Sequence, residues 1–220
     1  MRAQPNITLQ LIRSEWESDL RQKAVIAGIV LQVFTAVLVC YLAVQVLAKP
    51  AWNAVYWILV IFGTVQGIAK NFIGVPAGRW IYLYQLSSAR QLILSKILYN
   101  LLTMTFLSGM TLLLYTFFMG WFAEHSGWYL LCIWLTGAGV STVYTLVSAI
   151  SAKTRNAGLL APVLSLPVIV PVVLAGLSAS RKCMEVNLPQ AFFKDLAVVG
   201  ILDVLLIYLS LLLFSFVWQE

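Results

Sequence analysis

The chain has 220 residues, 61% of them hydrophobic and only 10% charged, with a mean hydropathy of +0.92. An ordinary soluble domain carries about 25% charged residues, so the composition excludes that class and predicts an all-α integral membrane protein. The net charge of +6 is accounted for by membrane topology and anionic lipid, and implies no nucleic-acid partner.

A span needs about 20 apolar residues to cross roughly 30 Å of hydrocarbon. The gaps between charged residues supply six, within a single transmembrane domain over residues 1–220. Before them, Leu9, Ile12, Trp16 and Leu20 recur at steps of three and four, with Gln10, Arg13, Glu17 and Arg21 on other faces. This predicts an N-terminal interfacial helix over 1–23. It suits either an anchor that sets the tilt of the first span or a docking surface for a cytoplasmic subunit. Spans one (24–48) and two (51–69) are joined by little more than Lys49-Pro50, which predicts a tight helical hairpin. The first is too long for a signal peptide, and acids precede it. Its Gln32 and Gln45 are polar groups expected to turn inward for partners.

Residues 71–91 interrupt the apolar runs. Gly74, Pro76 and Gly78 break any helix continuing from span two. After them Trp80, Leu83 and Tyr84 fall at helical spacing among Arg79, Tyr82 and Gln85, as in a short helix lying along a surface. Ser88 with Gln91 has capping-box form and starts the next helix. Span three (92–121) is long enough for tilt or for extra cytoplasmic turns, and Glu124-His125-Ser126-Gly127 closes a short outer turn.

Span four (128–152) carries Gly137, Ser141, Thr145 and Ser148 at helical steps, a small-residue packing stripe whose neighbour the spacing leaves open. Span five (158–180) holds Pro162, Pro167 and Pro171, each expected to kink or break it. Such a helix either flexes along a path or merely shapes the bundle. The outer loop 181–195, with Pro189 and Phe192-Phe193, is expected to dip back toward the membrane as short helices. Span six (196–218) contains Asp203, either a functional acid or a group two turns from the outer end, within reach of water or Lys194.

With the N-terminus inside, the inner segments hold ten of the fourteen basic residues and the outer ones four. Cytoplasmic loops retain Lys and Arg, so both termini are expected in the cytoplasm. The three cysteines form no framework, and Cys40 and Cys132 read as small apolar filler. No G-x-x-x-x-G-K-[ST] occurs, so energy from a nucleotide would have to come through another subunit. A single histidine, His125, gives no metal set, and a lone intramembrane Asp gives no aspartyl dyad. With no G-x-S-x-G either, enzyme chemistry is not expected, nor is a bound metal or cofactor.

Gln85-Leu86-Ser87-Ser88, Ile93-Leu94-Ser95-Lys96-Ile97-Leu98-Tyr99-Asn100 and the run Leu159-Leu160-Ala161-Pro162-Val163-Leu164-Ser165-Leu166-Pro167-Val168-Ile169-Val170-Pro171 resemble the membrane subunit of ABC-2 type exporters. More narrowly, they resemble the haem exporter protein B (CcmB) family of cytochrome c maturation. The likeness covers most of Trp52 to Ser180. It departs from the family where a glutamate is usual before the first glycine of the inner loop, since no acid lies between Asp19 and Glu124. The resemblance implies a bacterial inner-membrane subunit for haem export or haem-chaperone release. Its partners would be a CcmA-like ATPase, a CcmC-like haem-handling membrane protein, a CcmE-like haem chaperone and a second copy of itself. Haem would be the candidate cargo, and ATP would act only through the partner. The ATPase-coupling contact is expected at Arg79 to Leu86. Two other readings stay open: an ABC-2 permease for a drug, lipid or polysaccharide, and a scaffold without a path, which would tolerate apolar replacements at Gln32, Gln45 and Asp203.

Overall fold

The computed structural model describes residues 11–12, 23–43, 48–68, 89–151 and 157–217. Among them lie six helices and no strand: α1 (Lys23–Ala43), α2 (Lys49–Ile68), α3 (Ala89–Met119), α4 (Ser126–Ser151), α5 (Ala157–Lys182) and α6 (Gln190–Val217). Four carry stretches long and apolar enough to cross a membrane: Gln91–Met119, Ser126–Ser151, Val163–Lys182 and Gln190–Leu213. In α1 the apolar stretch Val30–Ala43 is shorter.

Local chemistry explains the helix ends, some of which fall away from their expected places. Lys49 and Pro50 form the first turn of α2 and not a connecting turn. Proline is tolerated there because its missing N–H would have had no intrahelical acceptor. Gly120 stops α3 two residues earlier than expected. Its φ of 80° is one that L side chains rarely adopt, and its N–H donates to Thr116 O at 2.9 Å. The expected loop 181–195 contracts to residues 183–189, because α5 runs to Lys182 and α6 begins at Gln190. Phe192 and Phe193 are helical, but in the last helix itself and not in a separate short one. They sit in the first turn of α6, packed edge-on to Trp128 at 5.4 and 5.6 Å. The expected breaks in span five do not occur either, and α5 is continuous through Pro162, Pro167 and Pro171. Pro167 and Pro171 lie one turn apart on its exposed face, so their rings displace none of the packed neighbours.

The centre of the bundle is α4. From Thr136 to Ala149 every residue except Ala138 is buried, with α5, α6 and α3 as its main neighbours. α2 packs on α3 and α5, and α1 on α3 and α2. The expected small-residue stripe does face a helix of the same chain: Gly137 abuts Met104 of α3, and Asn100 of α3 donates to Thr145 Oγ1 at 2.7 Å.

Three connections meet at one end, here named the turn end. Lys49 Nζ donates to Glu124 Oε1 at 2.7 Å and to Met184 O at 3.2 Å, while the His125 N–H donates to Cys183 O at 3.1 Å. The hydrogen bond and charge of Lys49 hold the Glu124 carboxyl below the usual glutamate range. A depressed acid contributes its stabilisation above its unfolded-state value and loses it as pH falls through the folded-state value. Because both side chains are well exposed, the tie is weak energetically. A zero-length carbodiimide is expected to join Lys49 to Glu124 at neutral pH. Peptide mapping checks it, with Lys49→Gln as the control that loses the link.

Candidate functional site

The polar side chains of this apolar sequence converge on the interior beside α4. Near the turn end, Asn53 of α2 is 1% exposed. Its Nδ2 donates to Ser180 Oγ of α5 at 3.0 Å and to Leu177 O at 3.3 Å, and its Oδ1 accepts from Tyr129 OH of α4 at 3.1 Å. Trp57 Nε1 donates to the same Ser180 Oγ at 2.9 Å. One amide thus joins three helices. In an apolar interior each of these groups would be costly unpaired, which is why they collect on one another.

An aromatic cage wraps this network. Trp52 lies 4.9 Å from Tyr115, 5.9 Å from Tyr129 and 6.3 Å from Tyr56, ring centre to ring centre. Two of the phenols are satisfied by helix carbonyls: Tyr115 OH donates to Trp52 O at 3.1 Å and Tyr56 OH to Ser108 O at 3.2 Å. The cage cross-links α2, α3 and α4 with large rigid surfaces.

At mid-depth the seam becomes tight and less satisfied. Gly176 of α5 sits so close to Thr136 that a Cβ there would lie 2.2 Å from Thr136 Oγ1 and 2.8 Å from Thr136 Cβ. One turn further along α4, a Cβ on Gly139 would lie 2.3 Å from Asp203 Oδ1 and 2.8 Å from Val172 Cγ1. Small residues allow α4 to approach α5 and α6 at backbone distance. Thr136 Oγ1 and both Asp203 oxygens are buried without a hydrogen-bond partner among the described residues. Contrary to the expectation, Asp203 does not lie two turns from the helix start. It lies thirteen residues beyond Gln190, about 20 Å along α6, and Lys194 makes no bond to it.

No protein-family model, curated protein or solved structure matches the chain.

Of the residues singled out in the sequence, Gly137, Ser141 and Thr145 are buried together on the α3-facing side of α4, and Gln32 is half-buried on α1. Pro162 lies in α5, while Pro167 and Pro171 are exposed. Ile12 is half-buried. Leu9, Trp16, Leu20, Gln45, Ser88 and the segment Arg79, Trp80, Tyr82, Leu83, Tyr84, Gln85 lie outside the described residues. His125 takes part in the turn end through its backbone, accepting from the Tyr129 N–H at 3.0 Å. The sequence reading missed Asn53, Asn100, Gly139 and Gly176. A signal existed for the two asparagines, since each is a strongly polar side chain inside an apolar run.

Proposed function

We propose that the chain is the membrane subunit of an ABC-2 type transporter complex of the haem exporter protein B kind. Here all six helices span a bacterial inner membrane, with both termini in the cytoplasm. The complex serves haem export or haem-chaperone release in c-type cytochrome biogenesis, and hydrolysis occurs in a separate CcmA-like ATPase. The observation that supports this reading most is the gathering of the 48, 120–125 and 183–189 connections at one end by Lys49, Glu124 and His125. An up-and-down bundle tied in that way leaves the helix ends Ile68 and Ala89 at the opposite end, which this reading assigns to the cytoplasm. Ten basic residues then fall on the cytoplasmic side, as positive-inside retention requires.

At 31 residues, α3 is about 46 Å long against roughly 30 Å of hydrocarbon. In this reading the surplus projects toward the ATPase. Closure of the motor pushes the short helix containing Tyr82 and Tyr84, and the displacement passes through α2 and α3 to α5, on which α2 packs. The prolines of α5 leave that helix fewer internal bonds to resist bending. A second copy, a CcmC-like protein and a CcmE-like chaperone complete the assembly.

The test is co-purification. Replacing Tyr82 and Tyr84 by aspartate is expected to abolish capture of the ATPase subunit while membrane insertion stays intact. Normal capture by the double variant removes the proposal.

A further inference from the structure

Asp203 stands apart from everything the coupling reading uses. It is 6% exposed, at mid-depth in α6, with neither carboxyl oxygen hydrogen-bonded among the described residues. Its Oδ1 presses against the backbone of α4 at Gly139, beside a methyl group of Val172. An ionised carboxylate in such surroundings carries a desolvation cost that only a close positive charge or several donors could offset. Neither is supplied. The helices packed against α6 are α3, α4 and α5. α4 has no charged residue from Ser126 to Ser151. The Arg181 and Lys182 of α5 are at its turn end, and Arg90 and Lys96 of α3 lie toward its opposite end. Lys182 is already paired with Asp195 at 2.6 Å. The other titratable side chains on those three helices are Tyr99, Tyr115, Tyr129, Cys132 and Tyr144, and none hydrogen-bonds Asp203.

A hard metal cation needs six or more oxygen ligands. The described residues contain no cluster of three His, Cys, Asp or Glu side chains, and the α4 backbone crowds the carboxyl on one side. A proton needs one oxygen and no room. We propose that Asp203 is a proton-binding site at the centre of the bundle, its carboxyl protonated where it packs against α4 at Gly139. Release is a simple dissociation: the O–H bond breaks, the electron pair stays on the carboxylate and the proton passes to water. Intramembrane acids serve proton transfer in other settings. The site is independent of the proposed cargo and of the ATPase.

The experiment is infrared spectroscopy of the full chain in lipid nanodiscs, reading the C=O band of a protonated carboxyl. An ordinary aspartate would be protonated in only about one molecule in a thousand at neutral pH. Here the expected band corresponds to a large fraction of one group per chain, on the order of several hundredfold more, and it disappears in Asp203→Asn. That variant is isosteric with the protonated acid and is expected to fold. If it does not accumulate, aspartate labelled with carbon-13 in a chain carrying Asp19→Asn and Asp195→Asn assigns the band by its isotope shift, because those are the only other aspartates in the sequence. Absence of the band at neutral pH overturns the proposal. So does its loss on adding sodium at constant pH, which would make the site one for a metal cation, and so does a band that persists in Asp203→Asn.

Discussion

Replacing Gly176 by alanine is expected to destabilise the folded protein by about 3 kcal/mol, the largest effect of a methyl addition at any glycine among the described residues. The added Cβ would lie 2.2 Å from Thr136 Oγ1 and 2.4 Å from Thr136 Cγ2, and a rotamer change moves both. It would also lie 2.8 Å from Thr136 Cβ, which is fixed to the backbone. No rotamer of threonine clears that contact, so α4 and α5 must separate. Overpacking of a close interface costs about 1–3 kcal/mol, and the upper part of that range applies where both partners are main-chain-anchored. A denaturing-detergent titration of the purified chain checks it. Thr136→Ala in the same chain should restore part of the loss, since it removes the two shorter contacts and leaves the third. Gly139→Ala should cost less, because the atoms it meets, Asp203 Oδ1 and Val172 Cγ1, are both ends of side chains that can turn.

Asn53→Leu is expected to be nearly as damaging, for the opposite reason. It removes no packing volume of consequence but orphans the Tyr129 hydroxyl, and it takes a donor from Ser180 Oγ and Leu177 O. A buried polar group left unpaired costs about 1–3 kcal/mol. Hydrogen bonds between membrane helices average nearer 0.6 kcal/mol, because the reference state also finds partners. The two figures are separated by a double-mutant cycle with Tyr129→Phe. In the wild-type background Tyr129→Phe should destabilise. In the Asn53→Leu background it should be neutral or stabilising, because there it removes the orphaned hydroxyl. Additive costs in both backgrounds would mean that the bond between Asn53 and Tyr129 contributes nothing.

The helices themselves were legible because charged residues bracket apolar runs, and in lipid or in a core the backbone of such runs must satisfy its own hydrogen bonds. Their neighbours were not. Asn53 and Ser180 are far apart in the chain, and nothing in the local pattern of either points to the other. The stripe Gly137, Ser141, Thr145 announced a close approach, but only the position of Asn100 and Met104 on α3 shows what approaches. Asp203 was recognised as exceptional while its depth was misjudged. The cause is specific: Pro189 and the Phe192-Phe193 pair suggest short helices separate from the last span, which places its start at Leu196 and not at Gln190. Pro189 in fact caps the helix, its carbonyl accepting from the Phe192 N–H at 2.9 Å. α5 runs unbroken through its prolines, because each removes a single backbone bond whose freed carbonyl a packed bundle can satisfy by other means.

The enclosure of α4 between Thr136 and Ala149 separates two kinds of response to the surrounding bilayer. Acyl chains have no access to that stretch, so thinning or thickening the membrane acts only on the rim, chiefly through the long α3. Changes in lipid therefore reach α4 only through the helices around it, whose tightest approaches to it are at Gly139 and Gly176.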